Sequence, residues 1–290
     1  MPSLSLSDKI IAITGPTSGI GEVAARELAA MGAHLVLIAR NAAKLDKTRQ
    51  DILRLTPSAR IDTFVADVSS QKQVREVAAA INARYPRLDV LLNNAGLVLG
   101  SKREVSEDGY ELTFATNHLG PFLLTSLLFG LLEKSPAARI VNVSSAGHMG
   151  GSFRPENLQL VKGYNPWIAY CNSKLFNIFF TNELQRRIKA KGLNITANAL
   201  HPGAVRTGFG SQSGDFFTRF VFGIFGLFFI TAEEGAQTSI YLASSPEVEG
   251  VGGQYFAKKK ATPTRNRFIT DENERILWQM SEEMTKTRFL

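Results

Sequence analysis

The sequence predicts a doubly wound parallel α/β sheet with helices on both faces, on three observations. Apolar, β-branched runs alternate along the chain with longer segments whose apolar positions recur at helical spacing. The runs are apolar nearly throughout, so each strand wants cover on both faces, which alternation with helices supplies. A glycine-rich turn follows the first run directly, at the kind of strand-to-helix junction where open α/β sheets bind ligands.

Strands are expected at 9–14, 34–39, 61–66, 88–93, 139–144, 193–200 and 252–256, and helices at 20–31, 42–55, 71–85, 107–132, 167–191 and 232–242. A last helix, 271–285, follows an exposed connection at 258–267 rich in Lys, Arg, Thr and Pro. Asp271 is its expected N-cap, with Glu274 completing a capping box. No repeat, low-complexity tract or linker divides the 290 residues, so 1–290 reads as one domain. Right-handed crossovers bring the carboxyl ends of the strands to one edge, and every motif below lies at or beside that edge.

Composition narrows the function classes. The 33 Lys and Arg against 26 Asp and Glu leave a net charge of +7, but the cations are spread along the chain without an aromatic-interleaved stripe, which argues against a nucleic-acid partner. The lone cysteine, Cys171, excludes an internal disulfide and suits a reducing, cytoplasmic setting. It reads as a small buried apolar residue, although its place beside Tyr170 leaves room for sensitivity to thiol reagents. The first nine residues lack the basic segment and apolar core of a secretory signal. The tripeptides Asn142-Val143-Ser144 and Asn194-Ile195-Thr196 match the glycosylation pattern but fall in expected buried strands, so chance is the better account. His34, His118, His148 and His201 have no metal-ligand spacing, and no metal site is expected; His148 follows Ser145 closely enough to line a pocket.

The turn Thr14-Gly15-Pro16-Thr17-Ser18-Gly19-Ile20-Gly21 combines missing side chains with a helix start near Ile20. Backbone can approach a pyrophosphate closely there, and free N–H groups with a partial positive charge face it. Gly15, Ser18, Gly19, Ile20 and Gly21 are the candidate phosphate residues, with spacing G-x-x-x-G-x-G, looser than G-x-G-x-x-G. The second strand ends in Ala39-Arg40-Asn41, where a carboxylate would select the free ribose hydroxyls of NAD. Arg40 can instead make a charge-assisted contact with a 2′-phosphate, so NADP is expected in preference to NAD. A solvated surface arginine is the plain alternative. Asp67 and Val68, just past the third strand, are placed for the adenine, and Asn94, Ala95 and Gly96 end the fourth strand where small residues let cofactor and backbone meet. Each also fits ordinary turn chemistry.

Tyr170 and Lys174 stand four apart on an expected helix and so share a face. A neighbouring ammonium favours the phenolate of a tyrosine whose ordinary pKa is near 10, so Tyr170 is the expected proton donor and acceptor, with Lys174 also holding the nicotinamide ribose. Ser144 and Ser145 close the fifth strand; Ser145 is the favoured partner of the substrate oxygen. Asn117, a poor helix former inside the long helix, could anchor a water linking Lys174 to solvent. Taken singly, each of these residues has an ordinary structural reading.

The turn at 14–21, Asn93-Asn94-Ala95-Gly96, Asn117, Ser145, Tyr170 with Lys174, and Pro202-Gly203-Ala204-Val205-Arg206-Thr207 follow one another in an order that resembles the short-chain dehydrogenase/reductase family over nearly the whole chain. The resemblance implies a Rossmann-type sheet, Asn-Ser-Tyr-Lys catalysis, nicotinamide contacts from Val205 and Thr207, and a homo-oligomer, commonly a dimer or tetramer. Cys171-Asn172-Ser173-Lys174-Leu175, His201-Pro202-Gly203, the segment 234–238 and the Leu277-Trp278 helix look most similar to retinol-dehydrogenase-like members. The expected activity is therefore interconversion of an alcohol and its carbonyl, against the alternative of an idle dinucleotide-binding sensor or scaffold.

The stretch 216–230 holds seven of the chain's 19 phenylalanines, at 216, 217, 220, 222, 225, 228 and 229. It is too short and glycine-interrupted to span a bilayer, which takes ~20 apolar residues. A lid over a lipophilic substrate, a peripheral membrane contact and a dimer interface remain open, with ordinary core packing as the plain reading. Its place straight after the expected nicotinamide contacts favours a lid and a bulky apolar substrate, retinoid-like or a long-chain carbonyl.

Overall fold

In the computed structural model, which describes residues 5–98, 100–203 and 230–290, the apolar runs become strands β1 (Ile10–Thr14), β2 (His34–Ala39), β3 (Arg60–Val65), β4 (Val90–Asn93), β5 (Ala138–Val143), β6 (Ile195–His201) and β7 (Tyr255–Ala257). A short β8 (Lys260–Ala261), absent from the sequence reading, turns back antiparallel on β7. The eight form one sheet in the order β3-β2-β1-β4-β5-β6-β7-β8, with the first seven in sequence paired in parallel. Strand order reverses at β1, which has β2 on one side and β4 on the other. The crevice outside the carboxyl ends of β1 and β4 is therefore the switch point where this architecture takes ligands.

Continuous apolar character is explained by cover on two sides. Within β1, Ile11 and Ile13 face one core and Ala12 the other; Leu35 and Leu37 of β2 join the first, Val36 and Ile38 the second. Helices α1 (Gly19–Ala30) and α2 (Ala42–Leu55) close the first core; α3 (Gln71–Arg84), α4 (Leu112–Glu133) and α5 (Pro166–Ala190) close the second. Helix α6 (Ala232–Ser244) lies on the first side beside α1. Helix α4 is apolar on all sides because it is buried on all sides: by length and composition it is the one described helix that could cross a membrane, yet 83% of its most apolar stretch is inside the fold.

The C-terminal helix α7 (Asp271–Thr285) packs on α5. Trp278 and Leu277 are buried, and Arg186 of α5 reaches Glu183 at 2.7 Å and Glu274 at 2.6 Å. That pairing explains one correction. Thr270, not Asp271, is the N-cap, accepting from the Asn273 N–H at 3.2 Å, and Glu274 turns inward to Arg186 and Asn182. A buried carboxylate gains more from a charged partner than from a solvent-facing cap.

The helix expected from 107 begins at Leu112. Residues 105 and 111 bridge antiparallel around Gly109, and the buried Glu111 carboxylate accepts from the N–H groups of Thr113 at 3.0 Å and Phe114 at 2.7 Å. A carboxylate at a helix start satisfies orphan donors and suits the dipole, so the chain enters α4 there. Within α4, residues Ala115–Leu119 form a single π-turn, a local widening that often marks functional sites.

Candidate active site

At the end of β1 the backbone must turn at Gly15 with φ of 67°, a left-handed conformation that costs glycine little. A Cβ on Gly21 would lie 2.2 Å from the Gly15 carbonyl oxygen and 2.4 Å from Asn94 Nδ2, so no side chain fits at that position. Thr14 ties the turn to β4: its Oγ1 accepts from the N–H groups of Asn94 and Ala95, both at 3.0 Å, while Asn94 Nδ2 donates to the Thr14 and Gly15 carbonyls, each at 3.0 Å. Ser18 sits at the N-cap of α1 in extended conformation but makes no capping hydrogen bond. The first N–H groups of α1, at Gly19, Ile20 and Gly21, thus start a helix without a side-chain cap from Ser18, the kind of helix start that can take an anion.

Arg40, at the end of β2, is exposed, its side chain 61% accessible, and Nη1 stands 3.9 Å from Asp67 Oδ2. Asp67 spends its other oxygen on Ser69, accepting from N–H at 2.9 Å and from Oγ–H at 2.8 Å. Val68 is mostly enclosed, and its carbonyl packs against Gly120 of α4, where a Cβ would lie 2.2 Å away. All three lie around the carboxyl ends of β2 and β3, beside the glycine turn.

The chemical residues meet across the switch point. Tyr170 and Lys174 face the same way from α5, with Nζ 5.6 Å from the phenol ring centroid. Lys174 is buried and its ammonium donates to the Val143 carbonyl at 3.1 Å. Burial lowers its pKa to about 8. A Cβ on Gly96 would be 3.4 Å from Nζ, so the chain just after β4 runs close beside the ammonium. Burial holds the Tyr170 phenol above its ordinary value, with the Ser145 hydroxyl drawing it part of the way back. The direction is opposite to the expected acidification: burial of the phenol is the largest cause, although the Lys174 ammonium stands over the ring.

Ser144 and Ser145 separate cleanly. Ser144 Oγ donates to the Lys174 carbonyl at 2.7 Å and is spent, whereas Ser145 is the serine that interacts with Tyr170. Asn117 in the π-turn is also committed: Oδ1 accepts from the Leu97 N–H at 2.8 Å, and Nδ2 donates to the Leu97 carbonyl at 3.0 Å and to Ser173 Oγ at 2.9 Å. Its side chain joins α4 to α5 and to the chain at Gly96-Leu97.

The family model described as short chain dehydrogenase matches residues 9–216. The chain belongs to the short-chain dehydrogenase family. Among curated relatives, retinol dehydrogenase 14 of Mus musculus is 41% identical over 288 residues, covering 95% of this chain and 85% of the relative. A Mycobacterium paratuberculosis protein described as uncharacterized has a TM-score of 0.78 at 32% identity, covering 100% of this chain and 97% of its own. A short chain dehydrogenase from Escherichia coli CFT073, complexed with NADPH, has a TM-score of 0.69 at 25% identity, covering 90% and 100%. This short-chain dehydrogenase is an NAD(P)-dependent oxidoreductase acting on CH–OH donors, an alcohol–aldehyde oxidoreductase with a small-molecule substrate.

Sequence reasoning missed several residues of this short-chain dehydrogenase site. Thr14 is the one polar side chain of β1, and that polarity was its signal. His201, at the end of β6, accepts from the Ala146 N–H at 3.1 Å; burial lowers its pKa to about 4, which keeps the ring neutral and able to accept. His148 donates Nδ1–H to the Ser145 carbonyl at 2.7 Å, so two imidazoles pin the loop that carries Ser145. Cys171 is buried and its thiol pushed up to about 11, which removes the thiolate that a reagent would need. Val205, Thr207 and the aromatic residues at 216–229 lie outside the described residues.

Proposed function

We propose that this chain, as one domain over 1–290, is an NADP-dependent enzyme interconverting a lipophilic alcohol, retinoid-like or long-chain, with its carbonyl. One observation carries the reading: a half-buried phenol, Tyr170, lies between the Ser145 hydroxyl and the buried Lys174 ammonium at the switch point. When bound, the nicotinamide supplies or accepts the hydride. Ser145 orients the carbonyl oxygen, and Tyr170 O–H passes its proton to that oxygen as the C–H bond forms; in the reverse direction the phenolate takes the alcohol proton. A phenol held above its ordinary pKa is fully protonated at neutral pH, which suits the reductive direction. Lys174 holds the nicotinamide ribose, and Asn117 keeps the strand end beside it in place.

Arg40 supports NADP, since no carboxylate stands at the end of β2 to repel a 2′-phosphate, and a structural neighbour holds NADPH. Asp67 and Val68 take the adenine side, Asn94, Ala95 and Gly96 the middle of the dinucleotide, and Val205 and Thr207 the nicotinamide. Support for an apolar substrate comes from the phenylalanine density of 216–230 and from a relative named for retinol. The same segment is a candidate for peripheral membrane contact, and the assembly a homo-oligomer. The decisive experiment follows NADPH absorbance with a panel of aldehydes and ketones. Tyr170→Phe should lose on the order of 10²- to 10⁴-fold in kcat while still binding NADPH. Binding by the wild type without turnover across the panel would sink the reading.

A further inference from the structure

His118 is a buried titratable group for which the proposed chemistry has no use. It follows Asn117 in the π-turn, with Phe114 stacked at 5.4 Å between centroids and Phe176 and Phe180 edge-on at 5.9 and 6.2 Å. Such a box has no need of an imidazole, because an apolar ring would fill it without the cost of burying polar atoms. The ring meets Ser281 Oγ of α7 through Nε2 at 2.8 Å, while Nδ1 has no partner of hydrogen-bond geometry among the described residues. Asn177 of α5 has the matching defect: Nδ2 donates to the Val143 carbonyl at 3.1 Å, and Oδ1 has no hydrogen-bond partner among the described residues. The Asn177 side chain is also the group that opposes the effect of burial on His118. Finally, the Val143 carbonyl is the one on which Lys174 Nζ is seated, at 3.1 Å.

We propose that His118 is a positioning residue for Lys174: it donates Nδ1–H to Asn177 Oδ1, and this fixes the amide so that Nδ2 faces the Val143 carbonyl seating the ammonium. With Nδ1 protonated, Nε2 accepts from Ser281 Oγ–H, which gives up its alternative acceptor, the Leu277 carbonyl at 2.7 Å. A continuous chain then links the C-terminal helix to Lys174, and both orphaned atoms are satisfied. An amide free of the imidazole could turn over, pointing its oxygen at the carbonyl and moving the lysine's seat. The consequence for rate rests on the role given to Lys174 above; the hydrogen bonds do not.

Two measurements on the full chain test this. In ¹⁵N-edited NMR, with the His118 signals identified by their loss in His118→Phe, Nδ1 should be protonated and Nε2 not; the opposite tautomer overturns the proposal. His118→Phe should keep or raise Tm, since the box loses only polar atoms, yet lower kcat on the order of tenfold to a hundredfold through a displaced lysine. His118→Asn restores the donor facing Asn177 and should recover part of that rate despite a lower Tm from the space it leaves. An unchanged kcat in His118→Phe, or no recovery in His118→Asn, overturns the proposal. A wild type with no turnover would sink the functional reading alone, and the tautomer would then decide this one.

Discussion

The glycine turn and the lysine seat are neighbours across Ala95-Gly96, yet they are built by opposite means. The turn is made by removing atoms: at Gly15 a side chain would meet Ala95 and at Gly21 the Gly15 carbonyl oxygen, and the Thr14 hydroxyl and the Asn94 amide stitch it to the chain after β4. The seat is made by burying charge: Lys174 sits desolvated on one carbonyl. One region is limited by volume and the other by electrostatics. An added methyl should damage the first, while removing a charge should stabilise the second and still end its function.

The largest effect is expected at Gly21→Ala. Its Cβ would stand 2.2 Å from the Gly15 carbonyl, and backbone at that position cannot move aside without opening the turn. Overpacking of this kind costs about 1–3 kcal/mol or more, and NADPH affinity, read by fluorescence titration, should fall beyond a hundredfold because the cradle itself is displaced. Wild-type affinity in that variant would remove the turn from the binding site and end the comparison.

The two regions also differ in how far the sequence shows them. The turn was legible because glycines after an apolar run act locally, and Tyr170 and Lys174 were legible because helical spacing puts them on one face. What holds them in place was not. Thr14 reads as the end of a strand and Asn117 as a mid-helix flaw; their meaning depends on partners such as Asn94 and Leu97 that only the fold brings near. Local periodicity likewise could not foresee that Glu274 would leave its cap for Arg186, because that choice is made between two helices 85 or more residues apart in their contacts. The phenol's raised pKa escaped for the same reason: an i,i+4 lysine predicts a neighbour, but not that the amine is buried and the phenol half-buried beside it.

Lys174→Met sharpens the electrostatic side. An ammonium whose pKa falls from its ordinary 10.5 to about 8 on folding penalises the native state while it is charged. Below pH 8 the penalty is full; it fades between about 8 and 10.5, as the buried amine loses its proton before the unfolded one does. Without cofactor, the variant should be more stable than wild type by about 3 kcal/mol at pH 7, with the gap closing toward pH 10 in denaturant melts and turnover abolished at all pH values. A variant less stable than wild type at pH 7 would mean that the seat repays the buried charge and that the two regions are not opposites.

The smallest effect is expected at Arg40, where neither volume nor burial operates. Its guanidinium is 61% exposed and 3.9 Å from Asp67, a loose pair screened by water and salt, so little holds it back from a phosphate. Arg40→Asp would place a second carboxylate beside Asp67, repelling a 2′-phosphate while offering an acceptor to free ribose hydroxyls. The ratio of kcat/KM for NADPH over NADH should fall about tenfold, a size set by one exposed charge-assisted contact. That tenfold difference between wild type and variant should become smaller at high salt, because the interaction it reports is a screened one. A ratio that does not move would mean that cofactor choice is made elsewhere around the strand ends, and that an exposed charge at this edge contributes as little to specificity as it does to stability.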